Sequence, residues 1–296
     1  MHMQNIRLAI VIAVHNRKNT TLQCLQQLAR QTFQDFSIIV VDDGSADGTS
    51  AAIRQFFPSV TVINGTGNWW WTRSVNEGIR YALDQHASHV LLLNDDTYFT
   101  SDYLAQVNSE ITLNPGSVIG SLNLTSEKPH RVYFSGASKL NTLLFRYERY
   151  HKTFSLYQDD EKVSRFPSVY LPARGALIPA TVFSTIGLLD EVRFPQYASD
   201  VEFTLNAHET GFDMYVCSGL KIFTPVDSTG SGDIYKKESF FKFLSSFGNK
   251  YAKRHLFTNL QLIRNHVPGY LAPFSFLIYN GSILAKYFMH KVKSQG

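Results

Sequence analysis

Neighbouring carboxylates occur at two points of the sequence, and each pair directly follows an apolar run. Asp42 and Asp43 come after FSIIVV, and Asn94, Asp95 and Asp96 come after HVLLL. Adjacent carboxylates repel each other, so the second cluster predicts a cation nearby. Mg²⁺ and Mn²⁺ prefer such hard oxygen ligands, so either is a candidate for that cation. We expect Asp96 to contact the metal directly, with a solvated acidic turn as the alternative.

The first carboxylate pair has a different predicted partner. A uracil or thymine ring presents an N–H donor between two carbonyl groups, and a fixed carboxylate at a strand end can accept that hydrogen bond. Asp42 or Asp43 is suited to this contact. The segment DDGSADG is also typical of a polar turn that precedes a helix, so a purely structural role stays open.

Three consecutive tryptophans stand in GTGNWWWTRSVNEG. They cannot all face one core, so we expect at least one, with Trp70 as the candidate, to line a ligand site. There an indole can stack on a base or on the apolar face of a sugar. Arg73 is a candidate partner for a diphosphate. Core packing of the tryptophans and simple exposure of the arginine are the alternatives.

Alternating strands and helices must position these residues. LAIVIAV and FSIIVVDDG are β-branched apolar runs, and the segment between them places leucines at helical spacing. TSAAIRQFF with VTVIN forms a second helix and strand, and TRSVNEGIRYALDQH with HVLLLNDD forms a third. This order predicts a mostly parallel sheet with helices on both faces, in which ligands bind at the carboxyl ends of the strands. The two carboxylate clusters and Asn68 are then expected at one edge.

Composition restricts the class of protein. The 296 residues, 44% of them hydrophobic, are enough to bury a substantial core. The two cysteines, Cys24 and Cys217, offer neither a disulfide framework nor metal-site spacing. The apolar run near the N-terminus is interrupted by His15 and Asn16 and is too short for a signal sequence or a membrane span. These features predict a cytoplasmic protein.

The net charge of +4 is unevenly distributed. Residues 236–296 hold ten Lys or Arg and one acid, so this tail carries +9 and the remainder −5. The tail also contains twelve Phe or Tyr residues. Basic and aromatic residues on helices suit an anionic membrane surface, so one prediction is peripheral contact with the inner face of the cell membrane. The other is a packed helical subdomain with a solvated basic face. No nucleic-acid-binding motif accompanies the charge, and nucleic acid is not an expected partner.

VHNR at 14–17, QTFQDFSIIVVDDGSADGT at 31–49 and the NDD triplet together resemble the family 2 inverting glycosyltransferases. The resemblance covers about residues 7–231. It implies the GT-A fold, with a Rossmann-like, mostly parallel central sheet and helices on both faces, followed here by a C-terminal helical tail. It divides the chain into a nucleotide-sugar-binding part at 1–110, an acceptor-binding part of the same domain at 111–232 and a basic aromatic helical tail at 233–296.

The resemblance also implies contacts with the nucleotide. It puts the main chain of Ala13 and the side chain of Asn16 or Arg17 near the base, beside the first carboxylate pair. Asn68 and Asn76 match a family pattern that lies under the nucleotide. All of these residues are therefore predicted donor-binding residues.

For the metal, the family's Asp-x-Asp pattern falls on Asn94, Asp95 and Asp96. The first acid is replaced by Asn94 and the last is retained, which implies Mn²⁺ or Mg²⁺ on Asp96 and donor contacts from the other two. A further metal contact is a His in many relatives, whereas Asp227 stands at that position here. Asp227 can serve as a hard ligand or can cap a turn, and both possibilities stay open. ARGALIP at 173–179 resembles the loop beneath the donor sugar.

The catalytic base is also assigned by resemblance. The family's Glu-Asp pair at a helix start falls on Ser199 and Asp200, so Asp200 is the expected base and Ser199 replaces the neighbouring acid. Inverting transfer needs such a carboxylate to take the proton of the acceptor hydroxyl. An acid at a helix start is also what capping alone would produce. Glu202 lies on a different face of the helix and is the weaker candidate.

The predicted activity is metal-assisted transfer of one sugar, with rhamnose as the first candidate, from a nucleotide-diphosphate donor to a lipid-linked or surface-glycan acceptor with inversion. QLIRN at 261–265 resembles the tail motif of non-processive members, which argues against a polymer-extruding enzyme. A catalytically inactive sugar-nucleotide-binding module is the alternative, because Asn94 and Ser199 depart from the family pattern. A dinucleotide-dependent oxidoreductase is disfavoured because VHNRKN replaces a glycine-rich loop after the first strand.

Overall fold

A computed structural model describes residues 7–159, 163–226 and 239–293, with side chains to residue 291. Strands make up most of its centre. In chain order they are β1 (Leu8–Val14), β2 (Phe36–Asp42), β3 (Thr61–Asn64), β4 (His89–Leu93), β5 (Val118–Thr125), β6 (Val132–Phe134), β7 (Ala137–Asn141), β8 (Arg146–Arg149), β9 (Arg165–Pro167), β10 (Ala176–Pro179) and β11 (Met214–Thr224).

Helices cover the sheet and form the tail. They are α1 (Lys18–Ala29), α2 (Thr49–Phe56), α3 (Trp70–Asp84), α4 (Tyr103–Leu113), α5 (Ala180–Ile186), α6 (Ser199–Glu209), α7 (Phe240–Ser245), α8 (Leu256–His266) and α9 (Ala272–Lys293).

The described part of the chain contains a nine-stranded sheet in the order β3-β2-β1-β4-β10-β5-β11-β9, with β6 beside β5. Strands β1 to β4, β5 and β11 run in one direction, and β6, β9 and β10 oppose them. β7 and β8 pair separately. The predicted mostly parallel sheet is confirmed, and strands from both sides of residue 110 belong to it.

Alternation of side chains along the strands produces a core on each face of the sheet. On one face Ile10, Ile12 and Leu91 pack against α1, α2 and α4. On the other, Val11 and Leu92 pack against α3 and α6. Because successive strand residues point to opposite faces, an apolar run without alternation is buried on both sides. The helices predicted on both faces are therefore present.

The register brings the ends of the first four strands to one edge. Val14 of β1 is the partner of Asp42 in β2, and Asp42 is the partner of Asn64 in β3. Ile12 of β1 pairs with Leu93, the last residue of β4. The polar residues that follow these strands consequently meet at the carboxyl edge, as the order of elements predicts.

The tail packs onto the body through polar contacts between helices. Asn265 of α8 donates to Glu202 Oε1 of α6 at 3.0 Å. Asn259 of α8 donates to Asn280 Oδ1 of α9 at 3.0 Å in a buried bond. Among the described residues no helix is long and apolar enough to cross a membrane.

Candidate active site

A cavity of about 360 Å³ opens at the carboxyl edge of β1, β2 and β4. The strand ends, the first turn of α3 and the loop before α6 form its walls. The lining residues are Ala13, Val14, His15, Arg17, Asp43, Gly67, Trp70, Trp71, Ser74, Asn94, Asp95, Asp96 and Gln196. The cavity therefore brings together part of the predicted donor and metal set, namely Ala13, Arg17, Asp43, Trp70, Asn94, Asp95 and Asp96.

Arg17 is the cation that accompanies the second carboxylate cluster. Its Nε lies 3.0 Å from Asp95 Oδ2, and its Nη2 lies 3.2 Å from Asp96 Oδ2. Thr21 Oγ1 also donates to Asp95 Oδ2 at 3.1 Å. Burial raises the pKa of Asp95, and the positive charge of Arg17 opposes that rise. Asp95 is thus bound by protein donors and holds Arg17 at the cavity.

Asp96 keeps one carboxylate oxygen without a donor. The residue is 8% exposed, and its Oδ1 is buried without a hydrogen-bond partner. Arg174 Nη2 lies 3.9 Å from this oxygen, which is too far for a hydrogen bond. The Arg174 side chain is itself mostly buried, and its Nε also lacks a partner. Buried charged groups without partners are costly. A ligand that brings a cation to Asp96 and an anion to Arg174 would therefore be stabilised here.

A divalent metal fits this arrangement in one respect. Asp96 Oδ1 is a hard oxygen that no protein group uses. No group of three His, Cys, Asp or Glu side chains that could hold a metal occurs among residues 7–159, 163–226 and 239–291. A bound diphosphate and water could supply further ligands of an ion on Asp96, and so could Asp227, which lies outside the described residues.

The two aspartates at the carboxyl end of β2, Asp42 within the strand and Asp43 after it, have different positions. Asp43 lines the cavity and accepts main-chain N–H groups, one from Gly67 on Oδ1 at 2.7 Å and those of Trp69 and Trp70 on Oδ2 at 2.9 Å each. Asp42 does not line the cavity. It accepts from the Ser45 N–H at 2.9 Å and from the Ser50 hydroxyl. Asp42 therefore has the turn-stabilising role that the sequence left open.

The side chains of two predicted donor residues are engaged in hydrogen bonds to other parts of the protein. Asn16 Oδ1 accepts the Ala46 N–H at 2.7 Å, which ties the loop after β1 to the loop after β2. Asn76 is wholly buried and donates to the Leu189 carbonyl and to Glu191 Oε2, both at 2.8 Å. Neither side chain lines the cavity. Asn76 has no free amide group for a nucleotide, because its oxygen accepts the Leu189 N–H at 3.2 Å.

Asn68 and Arg73 are also absent from the cavity lining, and both side chains are exposed. The guanidinium of Arg73 lies 5.2 Å from the centre of the Trp69 ring, and its Nε is 4.0 Å from Glu77 Oε1. The helical position of Arg73 turns it outward, whereas Trp70 and Ser74 of the same helix line the cavity.

Trp70 has an unusual backbone at the start of α3. Its φ is +60°, a left-handed conformation that is strained for a bulky residue. The bond from its N–H to Asp43 holds this conformation. Its ring stacks on Tyr251 of the tail, with ring centres 3.6 Å apart and planes 10° apart. An aromatic pair from two distant segments therefore borders the cavity.

The residues at or beside the cavity that were not predicted include three with long or aromatic polar side chains. His15 bonds through Nδ1 to the Asp43 carbonyl at 2.6 Å, and Gln196 Oε1 accepts the Trp71 N–H at 3.0 Å. Arg174 is the third. His15 and Arg174 belong to segments that the resemblance singles out, so their place in the motif was a usable signal. Nothing local in the sequence distinguishes Gln196.

Asp200 occupies the first turn of α6, after Ala198 with a left-handed φ of +69°. Its Oδ2 accepts the Ala173 N–H at 3.0 Å and its Oδ1 accepts the Val201 N–H at 2.9 Å. Burial raises the pKa of Asp200 despite these bonds. Asp200 does not line the described cavity, but the bond to Ala173 places it next to the loop that carries Arg174.

Ser199 and Glu202 are both structural in their contacts. The Ser199 hydroxyl is buried and hydrogen-bonds Thr72 Oγ1 at 2.7 Å, which joins α6 to α3. Glu202 is bound by Asn265, and burial raises its pKa. The serine that replaces the family's acid therefore positions the helix that carries Asp200.

Comparison with known proteins agrees with this geometry. The sequence model of Glycosyl transferase family 2 matches residues 9–165, more than half of the chain. An uncharacterized glycosyltransferase of Rickettsia typhi is 27% identical over 191 residues, 62% of this chain. The chain spans about half the length of that relative, 53%. The dTDP-rhamnosyl transferase RfbF of Shigella flexneri is 22% identical over 258 residues, 87% of this chain and 81% of RfbF.

Solved structures share the fold. The mannosyltransferase PcManGT of Pyrobaculum calidifontis, in complex with GDP-Man and Mn²⁺, aligns with a TM-score of 0.59 at 12% identity, over 97% of this chain and 74% of PcManGT. Residues 1–349 of S. aureus TarS, in complex with UDP, align with a TM-score of 0.56 at 13% identity, over 93% and 89%. The predicted GT-A fold is confirmed. Since the family model covers most of the sheet and the carboxyl-edge residues, the chain belongs to glycosyl transferase family 2.

Proposed function

We propose that this protein transfers a single sugar from a nucleoside-diphosphate donor to an acceptor hydroxyl with inversion, assisted by a divalent metal ion. The unsatisfied pair of Asp96 Oδ1 and Arg174 Nε beside the cavity carries the proposal. A metal-bound diphosphate supplies a cation for the first and an anion for the second. A dinucleotide-dependent oxidoreductase has no comparable need for this pair.

The nucleotide base is assigned to the side of the cavity that holds Asp43 and Trp70. Asp43 Oδ1 accepts a hydrogen bond from the Gly67 N–H, and a carboxylate oxygen can accept two. It therefore retains a lone pair for the N–H of a uracil or thymine ring. Trp70 offers its indole for stacking, and Ala13 offers its main chain beside it.

Asp96 is the proposed metal ligand, with Mn²⁺ or Mg²⁺ as the ion and Asp227 as the second candidate ligand. When bound, such an ion stabilises the negative charge that develops on the departing diphosphate. Arg17 and Arg174 lie on either side of Asp96 and can turn to the diphosphate oxygens when the carboxylate is otherwise neutralised. Asn94 and Asp95 line the cavity next to Asp96.

Asp200 is the proposed base. The acceptor oxygen forms a bond to the anomeric carbon, the bond from that carbon to the diphosphate oxygen breaks, and the acceptor proton passes to the Asp200 carboxylate. Attack on the face opposite the diphosphate inverts the anomeric configuration. The raised pKa of Asp200 makes it a stronger base than an exposed aspartate and supports this role.

The proposed donor is dTDP-rhamnose, with a lipid-linked or surface-glycan acceptor of the cell envelope. The likeness to RfbF, whose name gives that donor, extends over most of both chains and supports the choice. A Bacillus spizizenii poly(ribitol-phosphate) β-glucosyltransferase, 30% identical over 105 residues that make up 33% of this chain and 16% of that relative, supports a polymer acceptor in a more general way.

Thermal shift with a panel of nucleotide sugars tests the proposal, followed by donor hydrolysis with and without Mn²⁺. A donor that binds only the folded state raises the melting temperature. We expect one nucleotide sugar to stabilise the protein in the presence of Mn²⁺ and to be hydrolysed slowly without acceptor. Stabilisation without hydrolysis or transfer to any acceptor would favour the inactive binding module. A panel with no shift would contradict the donor assignment.

Replacement of Arg174 by Gln is expected to weaken the binding of inorganic pyrophosphate and of the nucleoside diphosphate by about 10- to 100-fold, the usual value of hydrogen bonds to a charged group. Isothermal titration in the presence of Mn²⁺ measures the effect. Arg146→Gln, at an exposed position of β8, is the matched control and should bind like the wild type. A drop in melting temperature with unchanged pyrophosphate affinity would show instead that Arg174 only neutralises Asp96.

A further inference from the structure

The last long helix of the chain is apolar on two faces. Its inner face, which includes Ala272, Ile283 and Tyr287, is buried against the body and α7. Its outer face is exposed, with Phe274 at 60%, Leu277 at 68% and Phe288 at 53%. The outer face is made of Phe274, Leu277, Ile278, Leu284, Phe288 and Met289, which we call the apolar stripe.

The apolar stripe is continuous. At 3.6 residues per turn its six members fall within an arc of about 140° on one side of the helix. The two other exposed residues within that arc, Gly281 and Ala285, are small, and the exposed Lys286 lies outside its border. The helix has 22 residues and is about 33 Å long. At its far end the ring of Phe240 lies 6.2 Å from that of Phe288, and Phe241 beside it is 82% exposed. Soluble monomers rarely expose a contiguous apolar patch of this kind.

The positive charge around the apolar stripe favours an anionic partner. Residues 239–293 contain eight Lys or Arg and no Asp or Glu. Lys242 and Lys286 are exposed beside the patch, and the Lys291 ammonium lies 5.8 Å from the Tyr287 ring. A second copy of the chain would bring the same positive charges against these, which opposes self-association through this face. An anionic lipid surface attracts the lysines and accepts the apolar side chains.

We propose that the apolar stripe and its flanking lysines form a docking surface for an anionic bilayer, with α9 lying in the plane of the interface. An amphipathic helix with apolar residues on one side and basic residues at its borders binds lipid in this way. The inner face of α9 stays packed on the protein, so docking requires no unfolding of the tail.

The packing fixes the candidate active site relative to this surface. The Asn280–Asn259 bond joins α9 to α8, and the Asn265–Glu202 bond joins α8 to α6, which carries Asp200. The Trp70–Tyr251 stack joins the tail to the cavity rim. Docking would therefore hold the site in one orientation above the lipid. The benefit of this for a lipid-linked acceptor rests on the proposed function, whereas the docking itself does not.

Sedimentation of the full chain with vesicles of equal phosphatidylglycerol and phosphatidylcholine, and with pure phosphatidylcholine, tests the proposal. We expect binding to the anionic vesicles at low salt that is largely released at about 0.5 M salt, because screening shortens the attraction to a few ångströms. Pure phosphatidylcholine should bind at least tenfold more weakly. Equal, salt-resistant binding to both vesicles would overturn the proposal, and so would no binding to either.

A matched pair of variants separates the apolar stripe from general hydrophobicity. Leu277 and Leu113 are 68% and 67% exposed, one in the apolar stripe and the other on α4 in the body. Leu277→Glu should weaken anionic-vesicle binding at least tenfold, and Leu113→Glu, with the same change of charge, should weaken it much less. Equal loss in both variants would contradict a localised surface.

A second pair of variants tests whether the lysines beside the apolar stripe contribute to vesicle binding. The double variant Lys242→Gln/Lys286→Gln should bind about 20-fold more weakly, and Lys128→Gln/Lys139→Gln should bind like the wild type.

Analytical ultracentrifugation without lipid should give a monomer; a dimer that Leu277→Glu dissociates would assign the face to self-association and overturn the proposal. Donor binding, measured by thermal shift, is independent of vesicle binding. Failure of the proposed function would therefore appear in the thermal-shift assay and would leave vesicle sedimentation unchanged.

Discussion

Replacement of Asp200 by Asn is expected to abolish sugar transfer while leaving donor binding intact. The amide preserves the shape, and its one oxygen can accept the N–H group of either Ala173 or Val201, which the two carboxylate oxygens of Asp200 accept separately. It cannot take a proton from the acceptor hydroxyl. Loss of a general base typically lowers the rate by about 10²- to 10⁴-fold. Turnover with donor and acceptor, together with titration of the donor, measures the two effects separately.

The pKa of Asp200 adds two expectations with defined signs. Burial raises it, so transfer by the wild type should decline with falling pH at a higher pH than the ordinary titration of an exposed aspartate. An acid with a raised folded-state pKa binds more protons folded than unfolded, so its ionisation destabilises the fold as pH rises through that interval. Asp200→Asn removes this ionisation but loses one of the two N–H bonds, so its melting temperature relative to that of the wild type should rise as pH increases towards 7.

Glu202→Gln is the matched control for this base. Glu202 lies on the same helix, is buried and also has a raised pKa, but it is bound by Asn265 of the tail. We expect nearly normal turnover in this variant. If Asp200→Asn stays active and Glu202→Gln does not, the base has been assigned to the wrong carboxylate of α6.

Replacement of Asp96 by Asn is expected to remove the dependence of donor binding on Mn²⁺. The side chain keeps its volume but loses the charge that a divalent ion requires. Loss of an outer-shell partner alone costs about 10- to 100-fold in metal affinity, so loss of a direct ligand should cost at least about 100-fold. Binding of Mn²⁺ in the presence of the nucleoside diphosphate, followed by electron paramagnetic resonance, measures this without turnover.

Asp84→Asn is the control for Asp96, because Asp84 is an exposed carboxylate at the last turn of α3. It should leave Mn²⁺ binding unchanged. The Asp96 variant should remain folded, since its orphaned oxygen contributes no hydrogen bond to the protein. Undiminished Mn²⁺ affinity in a folded Asp96→Asn protein would exclude this residue as a ligand and leave Arg17 as the resident cation of the cluster.

The sequence by itself determined the sheet and the edge at which ligands bind. Apolar runs without alternation can only be buried on both faces, and their alternation with helices leaves a parallel arrangement as the stable solution. Because parallel strands end at one edge, the residues after β1, β2 and β4 had to meet there. Arg17, Asp43, Asp95 and Asp96 line the cavity for this reason.

Local sequence could not distinguish neighbours within a motif. Asp42 and Asp43 are adjacent, yet Asp42, the last residue of β2, bonds within the turn, and Asp43, just after the strand, lines the cavity. Asn76 matched a nucleotide-binding pattern but is used by the segment around Leu189, which is distant in the chain. Such partners depend on tertiary packing, which periodicity does not encode.

Tertiary structure alone decided the contact between Arg174 and Asp96 and the two faces of α9. β10 inserts antiparallel between β4 and β5, so its start lies at the end of β4 and brings the preceding loop to the carboxylate. The apolar residues of α9 are of similar types on both sides of the helix. The side that packs on the body is buried, and the opposite side is exposed. The free energy of hydrophobic burial depends on the apolar area buried and not on which side chains supply it. The positions of neighbouring elements therefore determine which side chains of α9 remain exposed.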